Sequence, residues 1–111
     1  APEPIPYAID RYTNEAGRLY GVMDRRLRES EFLAGEYSIA DMACFPWTRS
    51  YERQGQDLDD FPNVRRWFDA IDARPAVQKG LKVLADRRRS PSDIDEKQRS
   101  ILFGAKQYQK R

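Results

Sequence analysis

Gly35-Glu36-Tyr37-Ser38-Ile39-Ala40-Asp41-Met42-Ala43 contains a complete helix start. Ser38 is an N-cap residue, its hydroxyl placed to accept a backbone N–H near Asp41, while the Asp41 carboxylate at N3 reaches back to the Ser38 N–H. The pair is a capping box with Asp in the place usually taken by Glu or Gln. Tyr37 at N′ and Met42 at N4 flank it in positions to form a hydrophobic staple, which would fix the angle at which the chain enters the helix. The cap accounts for Ser38 and Asp41 as structural residues, at about 1 kcal/mol each, and no catalytic role is needed for Asp41.

On the C-terminal side, Ile39, Met42, Ala43 and Trp47 continue this helix toward Arg49, and Pro46 inside it removes one hydrogen bond and predicts a kink near Ala43. Val64, Trp67, Phe68 and Ile71 follow the i, i+3, i+4, i+7 rule, so a helix is expected over 62–73, ended by Arg74-Pro75. The acidic run Asp57-Leu58-Asp59-Asp60 lies just before Pro62, where carboxylates suit the positive end of a helix. Val77, Leu81 and Leu84 mark a short fourth helix, Ser90-Pro91-Ser92-Asp93 a break, and Ile94, Ile101, Leu102 and Phe103 a last amphipathic segment.

On the N-terminal side, a long helix is expected over 7–29. Ile9, Tyr12, Ala16, Leu19, Met23 and Leu27 recur at spacings of three and four as one apolar stripe, with Arg11, Glu15, Arg18, Arg25 and Arg28 outside it. Gly17 and Gly21 lie within this helix at i,i+4, a spacing that suggests a groove where another backbone comes close. No segment requires a strand, and there is no internal repeat, phosphate-cradling glycine loop or Ser/His/Asp arrangement. The fold class is all-α, a bundle of four to five helices without a sheet.

Composition narrows the chemistry. A length of 111 residues, 40% of them hydrophobic, is enough for one modest core. There is no histidine and one cysteine, Cys44, so an intramolecular disulfide is excluded and the usual zinc and histidine-base chemistries have no ligands; no metal is expected. Without a histidine to serve as base, Cys44 reads as a packed thiol rather than a nucleophile. No apolar run approaches a membrane span, and Ala1-Pro2-Glu3-Pro4 shows no signal-peptide pattern, so the expectation is a cytoplasmic protein without a membrane partner. Residues 86–111 carry eight Lys/Arg against four Asp/Glu, leaving residues 1–85 with twelve against fourteen. Only the tail is basic. Arg87-Arg88-Arg89 lacks interleaved aromatics and reads as a solvated helix end rather than a nucleic-acid surface.

Ile5-Pro6-Tyr7-Ala8-Ile9-Asp10-Arg11-Tyr12, Arg18-Leu19-Tyr20, Phe32-Leu33-Ala34-Gly35, Tyr37 to Asp41, Phe45-Pro46-Trp47 and Tyr51 to Leu58 together resemble the C-terminal helical domain of glutathione S-transferases. The stretches from Pro6 to Tyr12 and from Arg53 to Leu58 resemble more narrowly the bacterial nu-class, disulfide-reducing branch. Phe61-Pro62-Asn63-Val64, Trp67-Phe68 and Ala73 to Val77 extend the likeness. It divides the chain into a helical domain over 1–85, without the long helix that usually opens it, and a basic extension over 86–111.

The resemblance implies a parent enzyme with glutathione as co-substrate, reducing disulfides by thiol exchange without a protein cysteine. It implies a thioredoxin-like N-terminal domain as partner, which nothing in this sequence resembles, and a homodimer of the full-length protein. The piece alone is expected to be inactive and to expose apolar surface on the first helix. Arg11 matches the arginine that reaches toward the glutathione carboxylates, a task suited to a guanidinium because it can hold a carboxylate bidentately. Tyr7 and Trp47 are candidates for the wall of the second-substrate pocket. The alternative is a non-catalytic module of the same fold that binds other proteins; a nucleic-acid binder acting through the basic tail is a third reading.

Overall fold

The computed structural model describes residues 3–83, 85–87 and 93–104, and among them it is all helical. In order these are α1 (Pro6–Glu29), α2 (Ile39–Thr48), a 3-10 turn (Leu58–Asp60), α3 (Pro62–Asp72), α4 (Pro75–Lys82), a second 3-10 turn (Ala85–Arg87) and α5 (Glu96–Phe103). Among the described residues the only extended pairings are two isolated bridges in the α1–α2 loop. The chain forms two compact units, residues 1–78 and 79–111. Leu84, Arg88, Arg89 and Ser90-Pro91-Ser92, which entered the sequence reading, lie outside the described residues.

The first unit is organised around α3. Val64, Trp67 and Ile71 are fully buried, as their spacing requires, and Phe68 is half-buried between Phe45 and Tyr51, with ring centroids 5.1 and 6.2 Å away. α1, α2 and the first 3-10 turn pack on it, contributing Tyr20, Leu27, Phe45, Thr48 and Leu58 to the core. Burial of large side chains of this kind contributes about 1.5–3 kcal/mol each, the main drive for docking these short helices.

At the start of α2 both halves of the capping box are present. The Ser38 hydroxyl accepts from Ala40 N at 3.3 Å, and Asp41 Oδ2 accepts from Ser38 N at 3.0 Å. The Tyr37 ring meets Phe32, at 5.5 Å, and the Arg74 guanidinium, 3.6 Å above it, while Met42 is half exposed. Tyr37 thus takes part in an aromatic-cation stack at the entry to α2. Asp41 also reaches further than a cap: its Oδ1 accepts from Leu33 N at 3.1 Å and from the Trp67 indole at 2.7 Å, in a site with no solvent exposure. One carboxylate therefore joins the loop, α2 and α3.

The expected stripe on α1 is not its buried face. Ile9 is 52% exposed, Tyr12 69% and Leu19 50%, whereas the side turned to the chain is Thr13, Gly17, Tyr20, Asp24 and Leu27. Only Leu27 belongs to both. Hydrophobic periodicity passes over this inner face because polar groups hold much of it. Gln56 Nε2 donates to Thr13 O at 2.8 Å, the Tyr20 hydroxyl donates to Gln54 Oε1 at 2.7 Å, and Asp24 Oδ1 accepts from the Asn63 and Val64 amides at 2.9 and 3.2 Å. Asp24 from α1 thereby caps α3; of the local acids expected there, Asp57 caps the 3-10 turn and Asp59 pairs with Arg65 at 2.9 Å. In return Arg66 of α3 donates to the carbonyls of Leu27, Ser30 and Glu31 at the end of α1. The glycine spacing also reads differently in three dimensions: a Cβ on Gly17 would meet the Gln56 side chain at 3.3 Å, not a backbone, and one on Gly21 would meet nothing within 4 Å.

In the second unit, α5 opens with its own capping box, Asp95 Oδ1 accepting from Gln98 N at 2.7 Å. Among the described residues no helix is long and apolar enough to cross a membrane.

Candidate functional site

The outer face of α1 is the open surface of the first unit, because Tyr20, Asp24 and Leu27 turn the opposite side inward. Pro6 starts the helix after an extended Ile5, so Tyr7 and Arg11, one turn apart, project from its first turns. They share a groove of about 440 Å³ with Asp10, Asn14, Glu15 and Arg18. Its electrostatics are uneven. Arg18 holds Glu15 through two bonds of 2.9 and 2.6 Å, and the Glu15 carboxyl is lowered chiefly by that hydrogen bonding. Arg11 carries a full charge into the groove and makes no hydrogen bond or ion pair among the described residues.

A second cavity, of about 400 Å³, is walled by Tyr12, Leu19 and Met23 of α1 and by Cys44, Trp47 and Thr48 of α2. It is mostly apolar. Gln54 ties its floor together, accepting from Tyr20 and donating through Nε2 to Trp47 O at 3.0 Å. Burial and the nearby Asp41 charge push the Cys44 thiol up, so the protonated form persists and the sulfur is a poor nucleophile. Burial likewise raises Tyr20, partly offset by the Thr48 hydroxyl.

The structure thus brings Tyr7 and Arg11 into one groove and places Trp47, 76% exposed, in the other, with Glu15 on the wall of both. Tyr12, Leu19, Met23 and Gln54 also line the second cavity. For Tyr12, Leu19 and Met23 the signal in the sequence is the apolar stripe itself, which marks the open face of α1 once Tyr20 and Asp24 are known to face inward; Gln54 has no such signal. Asp41 lies wholly in the interior and Ser38 is half-buried, and both are spent on the cap of α2. Among the described residues no group of three or more His, Cys, Asp or Glu side chains is gathered as a metal site would require.

Residues 8–75 match the family profile described as Glutathione S-transferase, C-terminal domain. This chain belongs to the glutathione S-transferase family. Among curated relatives it is 50% identical over 82 residues to Disulfide-bond oxidoreductase YfcG of Escherichia coli, covering 73% of this chain and 38% of that protein. It is 42% identical over 88 residues to Disulfide-bond oxidoreductase YghU of the same organism, covering 72% and 31%. With the Glutathione S-transferase-like protein tpcF of Aspergillus fumigatus it shares 34% identity over 93 residues, covering 71% and 41%. The chain therefore spans less than half the length of these relatives, and its matched part is the helical half of a glutathione S-transferase. The absence of strands among the described residues agrees with that half.

Proposed function

We propose that the complete protein is a glutathione-dependent disulfide reductase of the glutathione S-transferase family and that the outer face of α1 is its contribution to the substrate site. The observation that carries this is the unpaired Arg11 guanidinium in an open groove, in a chain 50% identical over 82 residues to a disulfide-bond oxidoreductase. Arg11 holds a carboxylate of glutathione in a bidentate fork, with Tyr7 beside it, and Trp47 forms part of the apolar wall for the second substrate. The chemistry is thiol exchange. One glutathione thiolate attacks the substrate disulfide, forming a mixed disulfide and releasing one thiol; a second attacks the mixed disulfide, giving oxidised glutathione and the other thiol. Cys44 has no part in it, consistent with its raised pKa.

On this reading the helical domain alone is inactive, because the thioredoxin-like domain supplies the rest of the glutathione site, and the full-length protein works in the cytoplasm as a homodimer. The test is glutathione-dependent disulfide reduction by the complete protein and by its Arg11→Ala variant. Loss of a bidentate charged contact raises the KM for glutathione about tenfold or more. An unchanged KM refutes the role of Arg11. The exposed Ile9, Tyr12 and Trp47 also suit a second reading, a non-catalytic module that binds another protein; no turnover and no glutathione binding in a folded complete protein favours it.

A further inference from the structure

Along the outer face of α1 a single carboxylate stands between two guanidinium groups. Glu15 follows Arg11 by four residues and precedes Arg18 by three, the spacings at which helix side chains meet. It is the one acid at such a spacing from Arg11; Asp10 lines the same groove but is the adjacent residue in the chain, not one a helical turn away. Two cations therefore compete for one anion. In the structure the outcome is one-sided: Arg18 Nε donates to Glu15 Oε2 at 2.9 Å and Arg18 Nη2 to Oε1 at 2.6 Å, so both oxygens of Glu15 are engaged. The Arg18 bond is the chief cause that lowers the Glu15 carboxyl, and the Arg11 charge acts on it least.

We propose that Arg18 is a positioning residue, which by holding Glu15 in a fork keeps that carboxylate off Arg11 and leaves the Arg11 guanidinium open to the carboxylate of glutathione. This rests on the ligand role assigned to Arg11 above. Were Glu15 free, it would pair with Arg11, and glutathione would bind only the fraction of molecules in which that pair is open, lowering its apparent affinity by the same fraction. A lysine at position 18 could not close both oxygens of Glu15, because its ammonium is a point charge without the planar fork.

The experiment measures KM for glutathione and kcat in the complete protein and in the variants Arg11→Ala, Arg18→Ala and the double Arg18→Ala/Glu15→Ala. The Nε–Hε resonance of Arg11 is followed by NMR in the same proteins. Arg18→Ala raises KM about twofold, the factor that an i,i+4 helix ion pair commands, with kcat unchanged, and shifts the Arg11 resonance. The double variant, with no carboxylate left at position 15 to pair with Arg11, brings KM back to the wild-type value or below it. An unchanged KM in Arg18→Ala overturns the proposal, and so does a raised KM that persists in the double variant, since Arg18 would then act through its own charge. Arg11→Ala separates the two levels. If it leaves KM unchanged, the ligand role of Arg11 fails and this proposal with it; if it raises KM while Arg18→Ala does not, only this proposal fails.

Discussion

Asp41 and Trp67 should be energetically coupled, and the structure sets how strongly. The carboxylate is wholly buried and accepts three N–H groups, from Leu33, Ser38 and the Trp67 indole. Leu33 and Ser38 are half-buried and can recruit water when the acceptor goes; Trp67 has no exposure and cannot. Asp41→Ala therefore loses a helix cap, about 1 kcal/mol, and orphans one fully buried donor, about 1–3 kcal/mol more, a large share of the roughly 5–15 kcal/mol that holds such a domain together. Trp67→Phe keeps most of the bulk but removes the donor, costing about 1.5–3 kcal/mol for a hydrogen bond to a charged group. In the Asp41→Ala background the same change deletes an orphan instead of a bond and should cost little or even stabilise. Urea denaturation followed by far-ultraviolet circular dichroism, on the two single variants and the double, gives the coupling; we expect about 1.5–3 kcal/mol. A Trp67→Phe cost that is equal in both backgrounds within about 0.5 kcal/mol would refute the view that this carboxylate is the joint between α2 and α3.

Other expectations follow from single contacts. Asp24→Ala removes the cap of α3 and should cost about 1–2 kcal/mol in urea denaturation, with Asp24→Asn losing less because an acceptor oxygen remains. Gly55 sits at φ +69, and a Cβ there would meet the Thr13 methyl at 3.0 Å, so Gly55→Ala should cost about 1–2 kcal/mol from the left-handed backbone alone; adding Thr13→Ser should recover the steric part and no more. Folded-state pKa values of Cys44 and Tyr20 are both raised. The unfolded chain therefore releases these protons first, and stability that is fully present below the ordinary cysteine pKa of about 8.5 should fall as pH rises through the raised values. Cys44→Ala should remove the earlier part of that fall, and a pH-independent urea midpoint across the alkaline range would contradict it.

How far the sequence could be read depended on how local the deciding interactions are. The start of α2 is readable because Ser38 and Asp41 satisfy each other within four residues, and α3 because Val64, Trp67 and Ile71 share one apolar face. α1 misleads for the opposite reason. Its buried side is held by Thr13, Tyr20 and Asp24, whose partners lie at Gln56, Gln54 and Asn63, and no period in hydrophobicity reports a polar group satisfied at such a distance along the chain. The apolar stripe that periodicity does find is real, but it marks the open face. For the candidate site, the proximity of Tyr7 and Arg11 follows from one helical turn. The placing of Trp47 depends on how α2 lies against α1, which is a tertiary fact. The bond from Trp67 to Asp41, which makes a cap into a three-way joint, has no local signature at all.

The Asp24 carboxylate has a consequence for how this domain can be watched. The amides of Asn63 and Val64 belong to α3, yet their acceptor rides on α1, 39 and 40 residues earlier in the chain. Their exchange with solvent deuterium is therefore timed by the separation of two helices, not by fraying of the helix that contains them. Two backbone protons at one end of α3 become a clock for α1: whatever grips or loosens that helix from its open side should slow or quicken them, without any probe being attached to the face itself.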